Sequence, residues 1–213
     1  MNFREFEKRI VKIKKMALPG EDIQLAMIPK SRIQHQLQAV EKMKNPRKAA
    51  VLVLFYPSLE MQTRFVLILR KPYNGIHSAQ VSLPGGKVEP EDNSLQDTAL
   101  RETEEEVGVD RAQVKILKQL TEVYIPPSGF FVQPFVGITS QTPTFIPDDI
   151  EVDAIIEVDL EKFMDDNCIE IRNVSASYSP VIEVPGFVFN DHMVWGATAM
   201  MLNEVRELLK KLY

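Results

Sequence analysis

The sequence predicts an α/β/α sandwich around a mixed sheet. Three observations lead there. Apolar runs rich in Val, Ile, Leu and Phe recur through the middle of the 213-residue chain. A helix with start and stop signals interrupts them at about residues 95–107. A second helix with an apolar stripe closes the chain. Strands interleaved with two covering helices fill the three layers of such a fold.

Taken in order, Phe3, Phe6, Ile10 and Ile13 recur at helical spacing with Arg4, Lys8, Arg9 and Lys12 between them, a basic amphipathic helix. Glu5 and Glu7 weaken a membrane-surface role, so this helix is expected to pack on the domain or on a partner. Pro19-Gly20 breaks the pattern, and residues 21–48 read only as helical or irregular. The expected division is a helical extension over 1–45 and the main domain over 46–213. Ala50–Tyr56 and Arg64–Arg70 read as paired strands, followed by a loop at Pro72-Tyr73-Asn74-Gly75. Gln80–Leu83 is a short strand that delivers the chain into Pro84-Gly85-Gly86, where missing Cβ atoms let backbone approach a metal or phosphate.

Ser94 caps the next helix and Gly108 closes it in the left-handed conformation. Val114–Val123 and Phe131–Thr139 read as strands joined through Pro126-Pro127-Ser128-Gly129. Then come a strand at Val152–Val158, a short helix at Leu160–Asp165, and a last strand pair at Ile169–Val174 and Val181–Phe189. From Trp195 to Tyr213, Met200, Met201, Val205, Leu208, Leu209 and Leu212 mark the second covering helix.

Composition narrows the function. A formal charge of −5 argues against a broad nucleic-acid footprint, which needs clustered Lys and Arg. No apolar run approaches membrane-spanning length, and the N-terminus lacks a secretory apolar region. Cys168 is the single cysteine, which excludes an intrachain disulfide and points to a reducing, cytoplasmic setting.

The chemistry concentrates in residues 83–109. Glu102, Glu105 and Glu106 stand at i, i+3 and i+4, three carboxylates on one helix face, with Leu100, Thr103 and Val107 opposite. Like charges this close repel unless a cation sits among them, and oxygen ligands favour Mg²⁺, Mn²⁺ or Ca²⁺ over zinc. The alternative is a solvated acidic face.

The run Arg101-Glu102-Thr103-Glu104-Glu105-Glu106-Val107-Gly108-Val109, preceded by Gly85-Gly86, resembles the Nudix box. That box reads glycine, five residues, Glu, seven residues, then Arg-Glu-U-x-Glu-Glu-x-Gly-U, where U is aliphatic. Thr103 replaces the aliphatic residue. Asp92 stands where the loop Glu is expected, with eight residues between it and Arg101. Upstream, Leu69-Arg70 and His77 to Gly86 resemble the coenzyme A pyrophosphatase subgroup: Gln80, Val81, Pro84, Gly85 and Gly86 match, while Lys71, Ala79 and Leu83 depart from its motif.

The resemblance implies a Nudix-type α/β/α sandwich and a metal-dependent pyrophosphohydrolase. Glu102, Glu105 and Glu106, with Gly86, would hold Mg²⁺ or Mn²⁺. Arg101 would hold the Glu105 rotamer, and Glu151 would complete the site or act as base. Arg70, His77, Gln80, Gly85 and Lys87 would meet the substrate, Arg70, Lys71 or Lys87 supplying a cation for a 3′-phosphate. The expected substrate is a nucleotide-type small molecule, coenzyme A or a derivative, cleaved to 3′-phosphoadenosine 5′-phosphate and 4′-phosphopantetheine. The alternatives are ADP-ribose or another dinucleotide, and a Nudix-fold binding module without turnover. A homodimer is left open.

Overall fold

The computed structural model describes residues 1–43, 46–72, 79–176 and 179–213. In chain order the helices and strands are α1 (Phe3–Ile10), α2 (Glu21–Leu25), α3 (Lys30–Lys42), β1 (Arg47–Pro57), β2 (Thr63–Arg70), β3 (Val81–Ser82), β4 (Gly85–Lys87) and α4 (Leu95–Val107). There follow β5 (Lys115–Gln119), β6 (Val123–Ile125), β7 (Phe130–Ile138), β8 (Val152–Asp159), α5 (Leu160–Met164), β9 (Ile169–Ala176), β10 (Ser179–Phe189), β11 (His192–Trp195) and α6 (Gly196–Lys210).

The sheet is mixed because β1 has neighbours of both kinds. It runs parallel to β7 from Arg47↔Phe130 to Phe55↔Ile138, and antiparallel to β2 and β4. β3 and β8 pair with β2, while β5 and β6 pair with β7. A strand buried on both faces needs apolar residues at every position, and from Ala49 to Pro57 β1 is buried without a break. Its side chains alternate between two cores. Val51, Val53 and Phe55 join α1 and α6 on one face, while Ala50, Leu52, Leu54 and Tyr56 meet Ala99 and Val107 of α4 on the other. The expected sandwich is therefore what forms.

Phe3, Phe6, Ile10 and Ile13 all lie in the larger core, Phe6 stacking obliquely on Phe55 with ring centroids 5.0 Å apart. The uninformative stretch at 21–48 supplies α2, α3 and the first residues of β1. Of the expected loop at 72–75, residues 73–75 lie outside the described residues.

Three expectations change. The single strand expected over Val114–Val123 is two, because Thr121 leaves the ladder to donate from its backbone N–H and hydroxyl to the buried Glu204 carboxylate at 3.1 and 2.6 Å. The last strand pair lies outside the main sheet in an antiparallel sheet of its own, β9-β10-β11. Its third strand, β11, was not anticipated; Asn190 and Asp191, at φ 47° and 66°, turn the chain back into it.

Candidate active site

Local chemistry sets α4. The Ser94 side chain accepts from the Asp97 N–H, and Gly108, at φ 74°, donates from its N–H to the Glu104 carbonyl. Within the helix, Thr98, Ala99, Thr103 and Val107 are buried while Leu100 is only partly so. Thr103 suits the aliphatic position because its hydroxyl donates to the Ala99 carbonyl at 2.6 Å and leaves no polar atom unsatisfied.

Arg101 is the hub. Its Nε and Nη2 donate to the two oxygens of Asp92 at 2.9 and 3.0 Å, its Nη1 to Glu105 at 2.8 Å, and its Nη2 also to Glu102 at 3.1 Å and the Lys87 carbonyl at 3.0 Å. The expected pairing with Glu105 is present but is one bond among several. The loop acid thus reaches Arg101 despite the extra residue, and Thr98 Oγ1 and the Glu89 N–H donate to it as well. Hydrogen bonding to Arg101 holds the Asp92 carboxyl well below the usual carboxylate range.

The three glutamates differ in environment. Glu106 is buried, accepting from the Gly85 N–H at 2.7 Å and from Arg70 at 3.0 Å. Burial pushes its carboxyl up to about 7, against the pull of Arg70. Glu102, mostly covered, is also raised by burial, opposed by Arg101. Glu105 is the open one, its side chain 56% exposed. Gly86 packs on Glu102 so closely that a Cβ would stand 2.4 Å from the carboxylate.

Arg70, in the cleft wall, is held within the site. Its guanidinium donates to Ser82 Oγ, the Gly85 carbonyl and Glu106, with Glu151 at 3.7 Å, so it ties the glycine turn to the acids. Lys71 is likewise committed, its ammonium donating to the Asp149 carbonyl. Lys87 is exposed at the rim of the site. Asp148 Oδ1 accepts from the N–H groups of Ile150 and Glu151, each at 2.8 Å, a turn that places Glu151 beside Arg70. His77 lies outside the described residues.

These groups converge on a cleft of about 810 Å³ lined by Arg70, Gln80, Gly85, Gly86, Lys87, Arg101, Glu102, Glu105 and Glu151. Two lining residues escaped the sequence reading. Arg47 sits over the Phe130 ring with Cζ 4.1 Å from its centroid, and Trp195 arrives from the far end of the chain. Arg47 lay in the stretch without a readable pattern; Trp195 carried the signal of being the chain's single tryptophan.

Among the described residues, no three acidic, histidine or cysteine side chains already converge on one point. Arg101 and Arg70 lie among the carboxylates and neutralise them. The donor set is nonetheless all oxygen, and at Gly86 the missing Cβ leaves the Glu102 carboxylate room. That chemistry fits a hard divalent cation.

The comparisons agree with this geometry. The family model for the NUDIX domain matches residues 46–176. Nudix hydrolase 15, mitochondrial, of Arabidopsis thaliana is 33% identical over 162 residues, 74% of this chain but 56% of the relative, so the chain spans little more than half that protein's length. Nudix hydrolase NudL of Yersinia enterocolitica is 31% identical over 170 residues, 76% of this chain and 82% of the relative. Among solved structures, a Nudix hydrolase from M. smegmatis, RenU, superposes with a TM-score of 0.54 at 16% identity, covering 79% of this chain and 88% of that one. With α4 carrying Arg101, Glu102, Glu105 and Glu106 behind Gly85-Gly86 inside the matched span, the chain belongs to the Nudix family.

Proposed function

We propose that the protein hydrolyses a nucleoside diphosphate linked to a second moiety, with coenzyme A and its derivatives as the preferred substrates. One observation carries the reading. Gln80, Val81, Leu83, Gly85 and Gly86, from the stretch resembling the coenzyme A pyrophosphatases, line the same cleft as Glu102 and Glu105. Glu102, Glu105 and Glu106 with Gly86 would hold Mg²⁺ or Mn²⁺. When bound, the cation supplies neutralisation of phosphate oxygens and acidification of a water.

The chain's own residues do the rest. Arg101, anchored on Asp92, fixes the rotamers of Glu102 and Glu105, and Arg70 fixes Glu106 and the Gly85 carbonyl. Glu151, held over the cleft by the Asp148 turn, is within reach of the site to take a proton from water. Lys87, exposed at the rim, is the cation that would face the substrate's outer phosphates.

A turnover panel of coenzyme A, ADP-ribose, NADH and diadenosine polyphosphates tests this. The expected result is the highest kcat/KM with coenzyme A. A preference for ADP-ribose would overturn the substrate and leave the chemistry, and no turnover of any member would favour a binding module.

A further inference from the structure

A pocket of about 520 Å³ lies between α2 and α3 on one side and β5, β6 and β7 on the other. It shares no lining residue with the cleft, and its α2 and α3 walls fall outside the span that matches the family. Among the described residues its walls hold two acids, Glu21 and Glu122, four glutamines, and no Lys, Arg or His.

The glutamine amides spend their donors on the protein. Gln24 Nε2 donates to the Thr121 carbonyl at 3.0 Å and the Glu204 carboxylate at 2.9 Å, and Gln36 Nε2 to the Tyr124 carbonyl at 2.6 Å. Gln133 Nε2 donates to the Leu120 and Pro134 carbonyls at 2.7 and 3.1 Å. These partners only accept, so they fix the orientation of each amide, and Gln119 must in turn donate to Gln133 Oε1, at 2.8 Å. Gln24 is 1% exposed and no donor reaches its Oε1, yet among the described residues Thr63 Oγ1 is the one enclosed side-chain oxygen or nitrogen without a partner. Gln24 Oε1 therefore meets open space, and the cavity it lines is this one.

Behind Gln24 and Thr121 lies Glu204, fully buried, accepting from the Gly20 N–H, the Gln24 amide, and the Thr121 N–H and hydroxyl. Four donors fill the acceptor sites of an ionised carboxylate, but all four are neutral, so its charge is left uncompensated. Across the pocket, Tyr124 and Phe131 stand with ring centroids 5.3 Å apart, and aromatic faces attract ammonium groups.

We propose that this pocket binds a small aliphatic amine in its ammonium form, at a site separate from the catalytic cleft. The ammonium donates to Gln24 Oε1, its charge offsets Glu204 and the rim acids, and its methylenes lie along Tyr124 and Phe131. A hydrated inorganic cation would gain nothing from the two rings. The site does not depend on what the cleft hydrolyses.

The test titrates the full chain with 1,4-diaminobutane and with its uncharged counterpart 1,4-butanediol, followed by calorimetry and thermal denaturation. The diamine is expected to bind saturably and raise Tm, and the diol to do neither. Glu122→Gln, at an exposed residue, and Tyr124→Leu, which keeps an apolar bulk, are each expected to weaken the diamine about fivefold. Glu105→Gln, in the cleft, should leave its affinity unchanged. Equal binding of diol and diamine, no saturable binding at millimolar diamine, or displacement by an equal concentration of Mg²⁺ would overturn the site. So would wild-type affinity in both Glu122→Gln and Tyr124→Leu, or a loss confined to Glu105→Gln, which would place the amine on the acids of the cleft.

Discussion

Arg101 grips Asp92 from the side: Nε and Nη2 each donate to a different oxygen of one carboxylate, at 2.9 and 3.0 Å. Both side chains are largely covered. Because the same guanidinium also holds Glu102 and Glu105, the loop acid controls the acids of the helix at one remove.

Asp92→Asn is expected to lower the unfolding free energy by about 2–3 kcal/mol, the cost of leaving a covered guanidinium without its charged partner. Turnover is expected to fall as Glu105 loses its fixed rotamer. The folded carboxyl titrates below its ordinary 3.8, so its contribution is complete above that pH and is lost as pH falls toward the folded value. Chemical denaturation at pH 7 and pH 3 checks this: the gap between wild type and variant should narrow at the lower pH.

Glu105→Gln should keep the fold, since the side chain is 56% exposed, and lower kcat at least about a hundredfold. Excess chelator should abolish wild-type turnover, with Mg²⁺ or Mn²⁺ restoring it. A variant within a fewfold of wild type would remove Glu105 from the ligand set.

The two glycines of the turn should respond differently to alanine. Gly86→Ala sets a methyl 2.4 Å from the tip of the Glu102 side chain, which can swing aside, so the protein should fold but bind Mn²⁺ at least about tenfold more weakly. Gly85→Ala meets the Ala50 carbonyl at 2.3 Å at φ 145°, where only backbone could give way, and should not yield folded protein. Circular dichroism and Mn²⁺ titration separate the two.

Lys87→Ala and Arg70→Ala discriminate recognition from positioning. Loss of Lys87 should reduce kcat/KM for coenzyme A about tenfold more than for dephospho-coenzyme A, the value of one charge-assisted contact. Loss of Arg70 should reduce both alike, because it acts on Glu106 and Gly85.

Phe6→Ala is expected to cost about 3–5 kcal/mol, as for a fully covered aromatic removed from a close-packed core. A loss below about 1 kcal/mol would mean that α1 is only loosely attached.

The helix of the site was legible because its signals are local: Ser94 and Gly108 bound it at the expected residues, and the carboxylate spacing is a property of the helix itself. The unbroken apolar run of β1 was legible for the same reason. What stayed hidden depends on residues distant in sequence. Nothing near Arg70 in the sequence reveals that Glu106, 36 positions on, would pair with it. Thr121 broke a strand to meet Glu204, 83 positions away. Trp195 reached the cleft by way of a separate sheet whose tight turn is written in only two residues, Asn190 and Asp191.

Glu204 is fully buried, yet it receives only neutral donors: the Gly20 N–H, the Gln24 amide, and the Thr121 N–H and hydroxyl. It ties α6 to the start of α2 and to the turn before β6. The chain runs from α2 into α3, and β6 carries Ile125 of the cleft, so one buried carboxylate fastens the segments leading into both to α6. Loss of this one carboxylate would therefore release three segments that lie far apart in the chain, with no direct contact to Arg101, Glu102 or Glu105.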